Sequence, residues 1–316
     1  MIITVTPNAA VDVTYRVARL VPHASHRVTE VAAVAGGKGV NVASVLSGRG
    51  VPVLATGLLG GQAGAAVRAD LDARGIPHDF ADCAGETRRS VTVVSDADGD
   101  ATVFNEPGPL VSAAEWAGLL AHLGSLLDHT GARVVVVSGS LPPGAPADSC
   151  ARIVELAHDR GARAVVDTSG EALAAALAAG PDLVKPNRAE AYEVTGAADP
   201  VAAARALQSR GAREVLVSLG SDGLLLLDAR GTARWARLRG SLHGNPTGAG
   251  DAAVAALAAA MAEGGTPGDA LTNAVAWSAA AVLHPLAGRL RAADVDRLLP
   301  EVVLEPVTPP QEAPRC

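Results

Sequence analysis

Short apolar runs rich in β-branched residues alternate with alanine- and leucine-rich stretches along most of the chain. The stretches Ala113–Leu127, Ala147–His158 and Val201–Arg210 have the apolar spacing of helices, and glycine often follows such stretches. Short strands separated by helices are typical of βαβ units, so the pattern predicts an α/β fold with a mostly parallel central sheet flanked by helices. Ligand sites in such sheets lie beyond the carboxyl ends of the strands. The predicted strands are Ile2–Thr6, Val53–Gly57, Arg133–Ser138, Arg163–Asp167, Leu183–Lys185 and Glu214–Ser218.

Two regions depart from this alternation and predict a second, smaller sheet. Val11–Val17 with Arg27–Val34, and Arg88–Val94 with Ala101–Asn105, have alternating polarity, and the turn signal DADGD at 96–100 joins the second pair. We expect the segments 11–34 and 86–106 to form a β-sheet lid over the site. The chain shows no linker or internal repeat, so we expect one domain over residues 1–305. Residues 306–316 contain four prolines and are expected to be a disordered tail.

Composition excludes several classes of protein. A hydrophobic content of 49% supplies a large core, and with 2% aromatic residues that core must consist of Ala, Val and Leu. The net charge of −7, without a basic cluster, argues against a nucleic-acid partner. No apolar stretch is long enough for a membrane span, and the first residues lack the layout of a signal peptide. Three widely spaced cysteines without a C-x-x-C motif favour a cytoplasmic protein.

The distribution of positive charge singles out two residues. Of the 26 basic residues, only Lys38 and Lys185 are lysines. A chain that uses arginine almost everywhere is expected to keep lysine where a compact ammonium on a flexible stem is hard to replace. Chance retention is the alternative for either residue taken alone.

The glycine-rich segment before a predicted helix at 252–262 carries the strongest signal for chemistry. In Gly248-Ala249-Gly250-Asp251, small residues let backbone N–H groups at a helix start face an anion. A carboxylate beside such an anion-binding helix start would repel a phosphate and so needs another function to explain its presence. In phosphoryl transfer, that function is to accept a proton from the attacking hydroxyl. The alternative is that Asp251 is an ordinary residue of a first helical turn.

Three further segments place polar residues at predicted helix starts and turns. Gly37, Lys38 and Asn41 open a helix that ends at Gly50, without the spacing of a Walker A loop. Asn187 and Glu190 share a helical face after Lys185 and suit a hydrated Mg²⁺, although a capping box explains the same pair. The turn at 218–223 is either a nucleotide contact or a hairpin.

Together these segments resemble the ribokinase-like carbohydrate kinases of the phosphofructokinase B type, and within them the branch of 1-phosphofructokinase and tagatose-6-phosphate kinase. The resemblance covers nearly the whole chain, from Thr4 to about Ala287. It implies a ribokinase-like fold and ATP-dependent phosphorylation of a ketohexose monophosphate, with fructose 1-phosphate to fructose 1,6-bisphosphate as the first expectation. The strings that carry it are TPNAAVD (6–12), GGKGVNVA (36–43), ETR (86–88), NEPGP (105–109), SGSLPPG (138–144), DTSGEAL (167–173), KPNRAE (185–190), SLGSDG (218–223) and NPTGAGDA (245–252).

The resemblance also implies roles for individual residues. It implies ATP and Mg²⁺ as cofactors and a sugar phosphate as the other small-molecule partner. A homodimer through the lid is a further expectation, because the lid strands would otherwise leave exposed edges. Asp251 is the expected base, with Gly248, Ala249 and Gly250 as the anion hole. The expected substrate contacts are Asp12, Gly37, Lys38, Asn41, Arg88 and Ser140. The expected ATP contacts are Lys185, Asn187, Ser218, Gly220, Gly223 and Asn273, with Asn187 and Glu190 holding Mg²⁺ through water.

The chain departs from the family pattern after Arg88. Where the pattern continues Ile-Asn-Val-Lys, this chain has Arg89-Ser90-Val91-Thr92, so one expected lysine is absent and Arg89 is a candidate replacement. Pro246 and Thr247 replace the commoner Thr-Val before the anion hole, a change that should leave its backbone donors intact.

Other functions remain open at this point. Tagatose 6-phosphate, fructose 6-phosphate and a free hexose are alternative acceptors, and a non-catalytic sugar-binding protein with this fold is the alternative of another class. A nucleotide-dependent oxidoreductase is excluded, because Pro7-Asn8-Ala9-Ala10 follows the first strand where that class needs G-x-G-x-x-G.

Overall fold

The computed structural model describes residues 1–97 and 99–307 of the 316-residue chain and contains two sheets. The strands of the described part are β1 (Ile2–Thr6), β2 (Ala10–Val17), β3 (Glu30–Gly36), β4 (Val53–Leu59), β5 (Ala81–Asp82), β6 (Arg88–Ser95), β7 (Ala101–Asn105), β8 (Val134–Ser138), β9 (Arg163–Asp167), β10 (Leu183–Val184), β11 (Glu214–Ser218), β12 (Leu224–Leu227), β13 (Ala233–Leu238) and β14 (Val302–Pro306).

The large sheet has ten strands in the order β14-β13-β12-β11-β10-β9-β8-β1-β4-β5. From β5 to β11 all neighbouring strands are parallel, and β12, β13 and β14 extend the sheet with antiparallel pairs. Strands β1 and β8 are buried along their whole length, because helices cover both faces of the sheet. The predicted α/β class with a mostly parallel sheet is confirmed, whereas the antiparallel extension was not predicted.

Helices form a layer on each face of the large sheet. The alanines of α8 and α9, together with apolar residues of α1, pack in one core cluster, while α3, α4, α5 and α7 pack in the other. Small alanine side chains let α8 and α9 approach closely, which compensates for the scarcity of aromatic residues. The helices are α1 (Lys38–Gly48), α2 (Gly61–Ala73), α3 (Ala113–Thr130), α4 (Ser149–Asp159), α5 (Gly170–Ala178), α6 (Arg188–Thr195), α7 (Pro200–Ser209), α8 (Ala249–Glu263), α9 (Pro267–Val282) and α10 (Ala292–Leu298).

The predicted small sheet is present, in the order β3-β2-β6-β7. Its strand β3 begins at Glu30, three residues later than expected. The two hairpins join through β2 and β6, which pair in parallel with Ala10 opposite Arg88. Directly paired residues share a face of a sheet, so Val13 and Val91 lie on the face that packs towards the core, and Asp12 lies on the opposite face. That this sheet closes over the site as a lid remains a prediction.

The end of the chain differs slightly from expectation. Pro306, where the tail was expected to begin, is the last residue of β14 and pairs with Arg234 of β13. Residues 308–316, which make up most of that expected tail, lie outside the described residues. No helix in residues 1–97 and 99–307 combines the length and apolar character needed to cross a membrane.

Candidate active site

The expected anion hole lies at the start of α8. Gly248 precedes the helix with a φ of 84°, and a Cβ at this position would lie 2.8 Å from the backbone nitrogen of Gly288. Only glycine fits both constraints. In the described part of the chain, the backbone N–H groups of Gly250 and Asp251 donate no hydrogen bond to the protein. Unpaired N–H groups at a helix start are suited to hold an anion.

Asp251 lies in the first turn of α8 and is 6% exposed. The side-chain amide of Asn41, on α1, donates a hydrogen bond of 2.8 Å to its Oδ2 atom. Burial, with a further contribution from the nearby charge of Asp167, raises the pKa of Asp251 to about 6, against the opposing effects of Asn41, Lys38 and Lys185. Such a carboxylate is ionised at neutral pH yet basic enough to accept a proton, as a general base requires.

The two lysines of the chain converge on one carboxylate that the sequence interpretation did not select. Lys185 Nζ lies 3.2 Å and Lys38 Nζ 3.3 Å from Oδ1 of Asp167, the last residue of β9. Ser138 Oγ donates to its other oxygen at 3.1 Å. Asp167 is 1% exposed, and burial raises its pKa, but the charges of Lys185 and Lys38 outweigh burial and hold this pKa below its ordinary value. A buried carboxylate therefore fixes both ammonium groups beside the anion hole.

The position of Lys185 connects this ion cluster to α8. A Cβ on Gly250 would lie 3.4 Å from Lys185 Nζ, so this ammonium adjoins the backbone of the expected anion hole. Lys38 was expected on the sugar side and Lys185 on the nucleotide side, and the structure brings both to the same point. A signal for Asp167 was present in the sequence, since it is a carboxylate at the carboxyl end of a predicted strand.

The small sheet contributes Asp12 and Arg88. The Asp12 carboxylate lies directly over the Cα of Gly36, so a Cβ on residue 36 would overlap the carboxylate. The same carboxylate accepts a hydrogen bond from the backbone N–H of Gly37. Burial and the charge of Asp251 raise the pKa of Asp12 to about 6, while Arg88 opposes this shift. Asp12 thus lies within electrostatic range of both Arg88 and Asp251.

Arg88 is held by backbone carbonyls rather than by a carboxylate. Its Nε donates to the carbonyl of Asn8 at 3.1 Å, and its Nη1 donates to the carbonyl of Glu106 at 3.3 Å. Asn8 in turn donates to Ser140 Oγ at 3.2 Å, which connects the expected loop residue Ser140 to the same wall. In the described chain Arg88 makes no ion pair closer than 4.0 Å, so its charge remains available to an anion.

Arg89 cannot replace the missing lysine. Successive residues of a strand point to opposite faces, so Arg88, Ser90 and Thr92 share one face of the small sheet and Arg89 lies on the other. Thr92 occupies the position where the family pattern has lysine.

The expected nucleotide segment forms a capping box. Asn187 Oδ1 accepts from the Glu190 backbone at 2.9 Å, and Glu190 Oε2 accepts from the Asn187 backbone at 2.8 Å. The capping box that was the alternative to a Mg²⁺ site is therefore formed. The other polar atoms of the two side chains, Glu190 Oε1 and Asn187 Nδ2, have no hydrogen-bond partner in the described chain. The Glu190 carboxylate also lies near Lys38. Burial lowers the pKa of Lys38, but the negative charges of Asp167, Asp251 and Glu190 together raise it above its ordinary value.

The remaining nucleotide candidates fall into two places. Ser218 forms a β-bridge with Asn187, which brings the 218–223 turn next to the start of α6. Gly220 and Gly223 bound a short 3₁₀ turn and have φ values of 65° and 95°. Asn273 lies within α9, its amide donates to the carbonyl of Asp269 at 3.0 Å, and no described contact joins it to the other candidates.

Comparisons with known proteins place these residues in context. The model of the pfkB family of carbohydrate kinases matches residues 4–292. A curated 1-phosphofructokinase of Xanthomonas campestris pv. campestris is 40% identical over 313 residues, which cover 95% of this chain and 94% of the relative.

Two solved structures have the same fold. Phosphofructokinase-2 from Escherichia coli in complex with fructose-6-phosphate is 29% identical, with a TM-score of 0.86 over 95% of this chain and 98% of that chain. The tetrameric inhibited form of the same enzyme is 29% identical, with a TM-score of 0.87 over the same shares of the two chains, 95% and 98%.

Proposed function

Because this chain belongs to the pfkB family of carbohydrate kinases, we propose that it phosphorylates a ketohexose monophosphate, with fructose 1-phosphate converted to fructose 1,6-bisphosphate. The family makes it an ATP-dependent sugar kinase. The name of the relative at 40% identity supports fructose 1-phosphate as the acceptor. One structural observation carries the proposal of a phosphorylated acceptor, namely the unpaired charge of Arg88 on the face that Asp12 shares.

In the proposed reaction, Asp251 accepts the proton of the acceptor hydroxyl. Asn41 occupies Oδ2 of this carboxylate and so orients Oδ1 towards the substrate. The hydroxyl oxygen bonds to the γ-phosphorus of ATP, the bond from that phosphorus to the bridging oxygen breaks, and ADP leaves. Backbone N–H groups of Gly250 and Asp251, with Lys185 beside them, lie where they would stabilise the charge on the transferred phosphoryl group.

Arg88 is the proposed contact for the phosphate already on the sugar. Two backbone carbonyls orient its guanidinium, and a phosphate would accept two parallel hydrogen bonds from the planar group. Lys38 was expected to share this role, but its ammonium is held 3.3 Å from Asp167, which it shares with Lys185. The proposal of a phosphate clamp therefore rests first on Arg88.

The test compares Arg88→Ala with Arg89→Ala, a matched control on the opposite face of the same strand. Hydrogen bonds to a charged group contribute about 1.5–3 kcal/mol, so Arg88→Ala should lower kcat/KM for fructose 1-phosphate by about 10–150-fold. It should change kcat/KM for free fructose by less than about threefold, and Arg89→Ala should change neither value by more than that.

A panel of acceptors decides among the alternatives. Tagatose 6-phosphate, fructose 6-phosphate and fructose are assayed with ATP beside fructose 1-phosphate. A wild-type preference for fructose would refute the clamp, as would an equal loss for both acceptors in Arg88→Ala. A non-catalytic sugar-binding role would require loss of the base or of the anion hole, and this chain retains both candidates.

We also propose that Mg²⁺ accompanies ATP and is held through water by Asn187 and Glu190. Each keeps a polar side-chain atom free after the capping hydrogen bonds, and Mg²⁺ retains several waters when it binds proteins. The described residues contain no group of three or more His, Cys, Asp or Glu side chains suited to hold a metal, which agrees with contact through water. The ion would supply charge neutralisation on the transferred phosphoryl oxygens.

We propose that two copies of the chain pair through the small sheets. The face that carries Asp12 continues into Thr14, Val34, Thr92 and Val103, and Val103 is 48% exposed. Proteins usually cover such apolar sheet surfaces. Sedimentation of the wild type as a dimer, and of Val103→Glu as a monomer, would support this pairing, and a monomeric wild type at micromolar concentration would refute it. A cytoplasmic location, expected from the cysteines, is compatible with a reaction that consumes ATP.

A further inference from the structure

A cavity of about 320 Å³ lies outside the ion cluster of Asp167, none of whose members line it. It lies between the second half of α1, the end of α2 and the loop that follows α9, and its lining includes Ser44, Ser47, Arg74, His284 and Arg289. Its volume is at the lower end of the range for small-molecule sites, about 300–1,000 Å³. None of these residues belongs to the site described above.

Positive charge predominates in this cavity. Arg74 donates to Asp70 Oδ2 at 3.1 Å, and that oxygen also accepts from the backbone of Ala35. Arg289 makes no hydrogen bond or ion pair with the described residues. Burial and the nearby charge of Arg74 lower the pKa of Arg289, with partial compensation from Asp70.

His284 does not change this balance. Its Nδ1 atom lies 3.1 Å from both the backbone nitrogen and the carbonyl oxygen of Leu286, and burial lowers its pKa, which favours the neutral ring at pH 7. The lining of the cavity thus includes two arginines and no carboxylate; Asp70 partners Arg74 from beside the cavity, and the guanidinium of Arg289 has no partner among the described residues.

The loop that carries Arg289 also supports the candidate base. Gly288, the preceding residue, is so close to Asn41 that an added Cβ would lie 2.6 Å from Asn41 Oδ1. Asn41 donates to Asp251, and Gly248 abuts Gly288 from the other side. A change in the position of this loop would therefore reach both the base and the start of the anion hole.

We propose that this cavity binds a small phosphate-bearing anion between Arg289 and Arg74, and that the bound anion fixes the loop behind Asn41 and Asp251. A dianion would satisfy the free guanidinium and offset the repulsion between the two arginines. The ligand is either inorganic phosphate or a phosphomonoester, since the volume admits both.

The binding test is calorimetric titration of the ligand-free full chain with inorganic phosphate and, separately, with glycerol 3-phosphate. The variants are Arg289→Gln, Arg289→Lys and the control Arg205→Gln, which alters an exposed arginine of α7 outside the cavity. Arg289→Gln should remove one class of sites, with affinity lower by about 10–150-fold, while Arg205→Gln should bind as the wild type does. Arg289→Lys should recover part of the affinity, because lysine keeps the charge without the planar fork.

Arg289→Gln leaves the side chains of the catalytic centre unchanged, so a separate anion site at that centre should still titrate in this variant. Equal stoichiometry and affinity in wild type and Arg289→Gln for both ligands would overturn the proposal. If only one of the two ligands binds wild type more tightly than Arg289→Gln, that result shows whether the cavity binds inorganic phosphate or a phosphomonoester.

The coupling is tested by initial rates at constant ionic strength, with sodium chloride replaced stepwise by sodium phosphate. Coupling between two sites typically changes an affinity about 5–150-fold, so phosphate should raise kcat/KM at least about fivefold in wild type and in Arg205→Gln. Arg289→Gln should lack this increase. An identical response of wild type and Arg289→Gln would refute the proposed action on the loop, and this outcome does not depend on which sugar is the acceptor.

Discussion

Replacement of Asp167 by asparagine tests whether the two lysines depend on this one carboxylate. The Lys185–Asp167 pair is 3.2 Å apart, with side chains 5% and 1% exposed, whereas Lys38 is 40% exposed. Unit charges at this separation interact by roughly 5 kcal/mol at an effective dielectric constant of about 20. Because asparagine leaves Lys185 charged and buried, we expect Asp167→Asn to lower the free energy of unfolding by about 3–5 kcal/mol. The Lys38 pair adds little, since solvent screens it.

The same variant should shift the pH dependence of catalysis in a defined direction. The negative charge of Asp167 helps to raise the pKa of Asp251 to about 6, and the two lysines oppose it. Loss of that charge, with both lysines retained, should lower the pKa of Asp251. A general base acts only when deprotonated, so the acid limb of kcat/KM, expected near pH 6 in wild type, should move to lower pH in Asp167→Asn.

Urea unfolding and a pH–rate profile provide the two measurements. The control is Asp148→Asn, which removes an Asp148–Arg152 pair 2.8 Å apart whose side chains are 50% and 51% exposed. That exposed pair should contribute no more than about 1 kcal/mol. A cost for Asp167→Asn no greater than that of the control, or an acid limb displaced to higher pH, would refute the assignment of Asp167. Ser138→Ala, which removes one hydrogen bond to Asp167 but no charge, should cost about 1 kcal/mol and keeps the comparison informative if Asp167→Asn does not fold.

Two further changes address the base and the metal. Asp251→Asn should retain the fold and nucleotide binding but lower kcat by about 10²–10⁴-fold, because an amide cannot accept the proton; activity within about threefold of wild type in a steady-state assay would exclude Asp251 as the base. Glu190→Gln should raise the Mg²⁺ concentration needed for half-maximal rate, because a neutral amide oxygen interacts more weakly with the hydrated ion; an unchanged Mg²⁺ titration would leave Glu190 with its capping role alone.

The alternation of apolar strands and helices predicted the parallel part of the large sheet except the two-residue strand Ala81–Asp82, because strands such as Val134–Ser138 are buried on both faces and so are continuously apolar. The antiparallel extension was missed. Leu224–Leu227 contains four leucines in succession, and an apolar run of that length does not distinguish a strand from a helix segment. Val302–Pro306 ends in proline, which favours a loop when the pairing partner is unknown.

At the candidate site, local patterns identified residues but not their partners. Asn41 and Asp251 were each predicted from a glycine-rich helix start, yet their hydrogen bond joins positions that are 210 residues apart. The convergence of Lys38 and Lys185 on Asp167 likewise depends on the order of strands in the sheet, which no local pattern encodes. By contrast, the opposite orientations of Arg88 and Arg89 follow from strand geometry and were available from the sequence.

The way in which the small sheet is attached to the rest of the chain limits how it can move. All four strands meet the main body at the same edge, since β2 and β6 start there, at Ala10 and Arg88, and β3 and β7 end there, at Gly36 and Asn105. Several chain crossings along one line would favour a swing about a single axis over twisting or sliding, once the contacts of Val13 and Val91 with the core are loosened.

Displacement in such a swing grows with distance from the hinge. At about 3.3 Å per residue, Val17 lies roughly 23 Å along β2 from Ala10, whereas Asp12 lies only about 7 Å from it. A rotation that carries the far edge of the sheet by several ångströms therefore moves Asp12 by about a third as much, and moves Arg88 hardly at all. In the proposed role of this sheet as a lid, Asp12 and Arg88 would therefore stay near their positions while the far edge of the sheet moves.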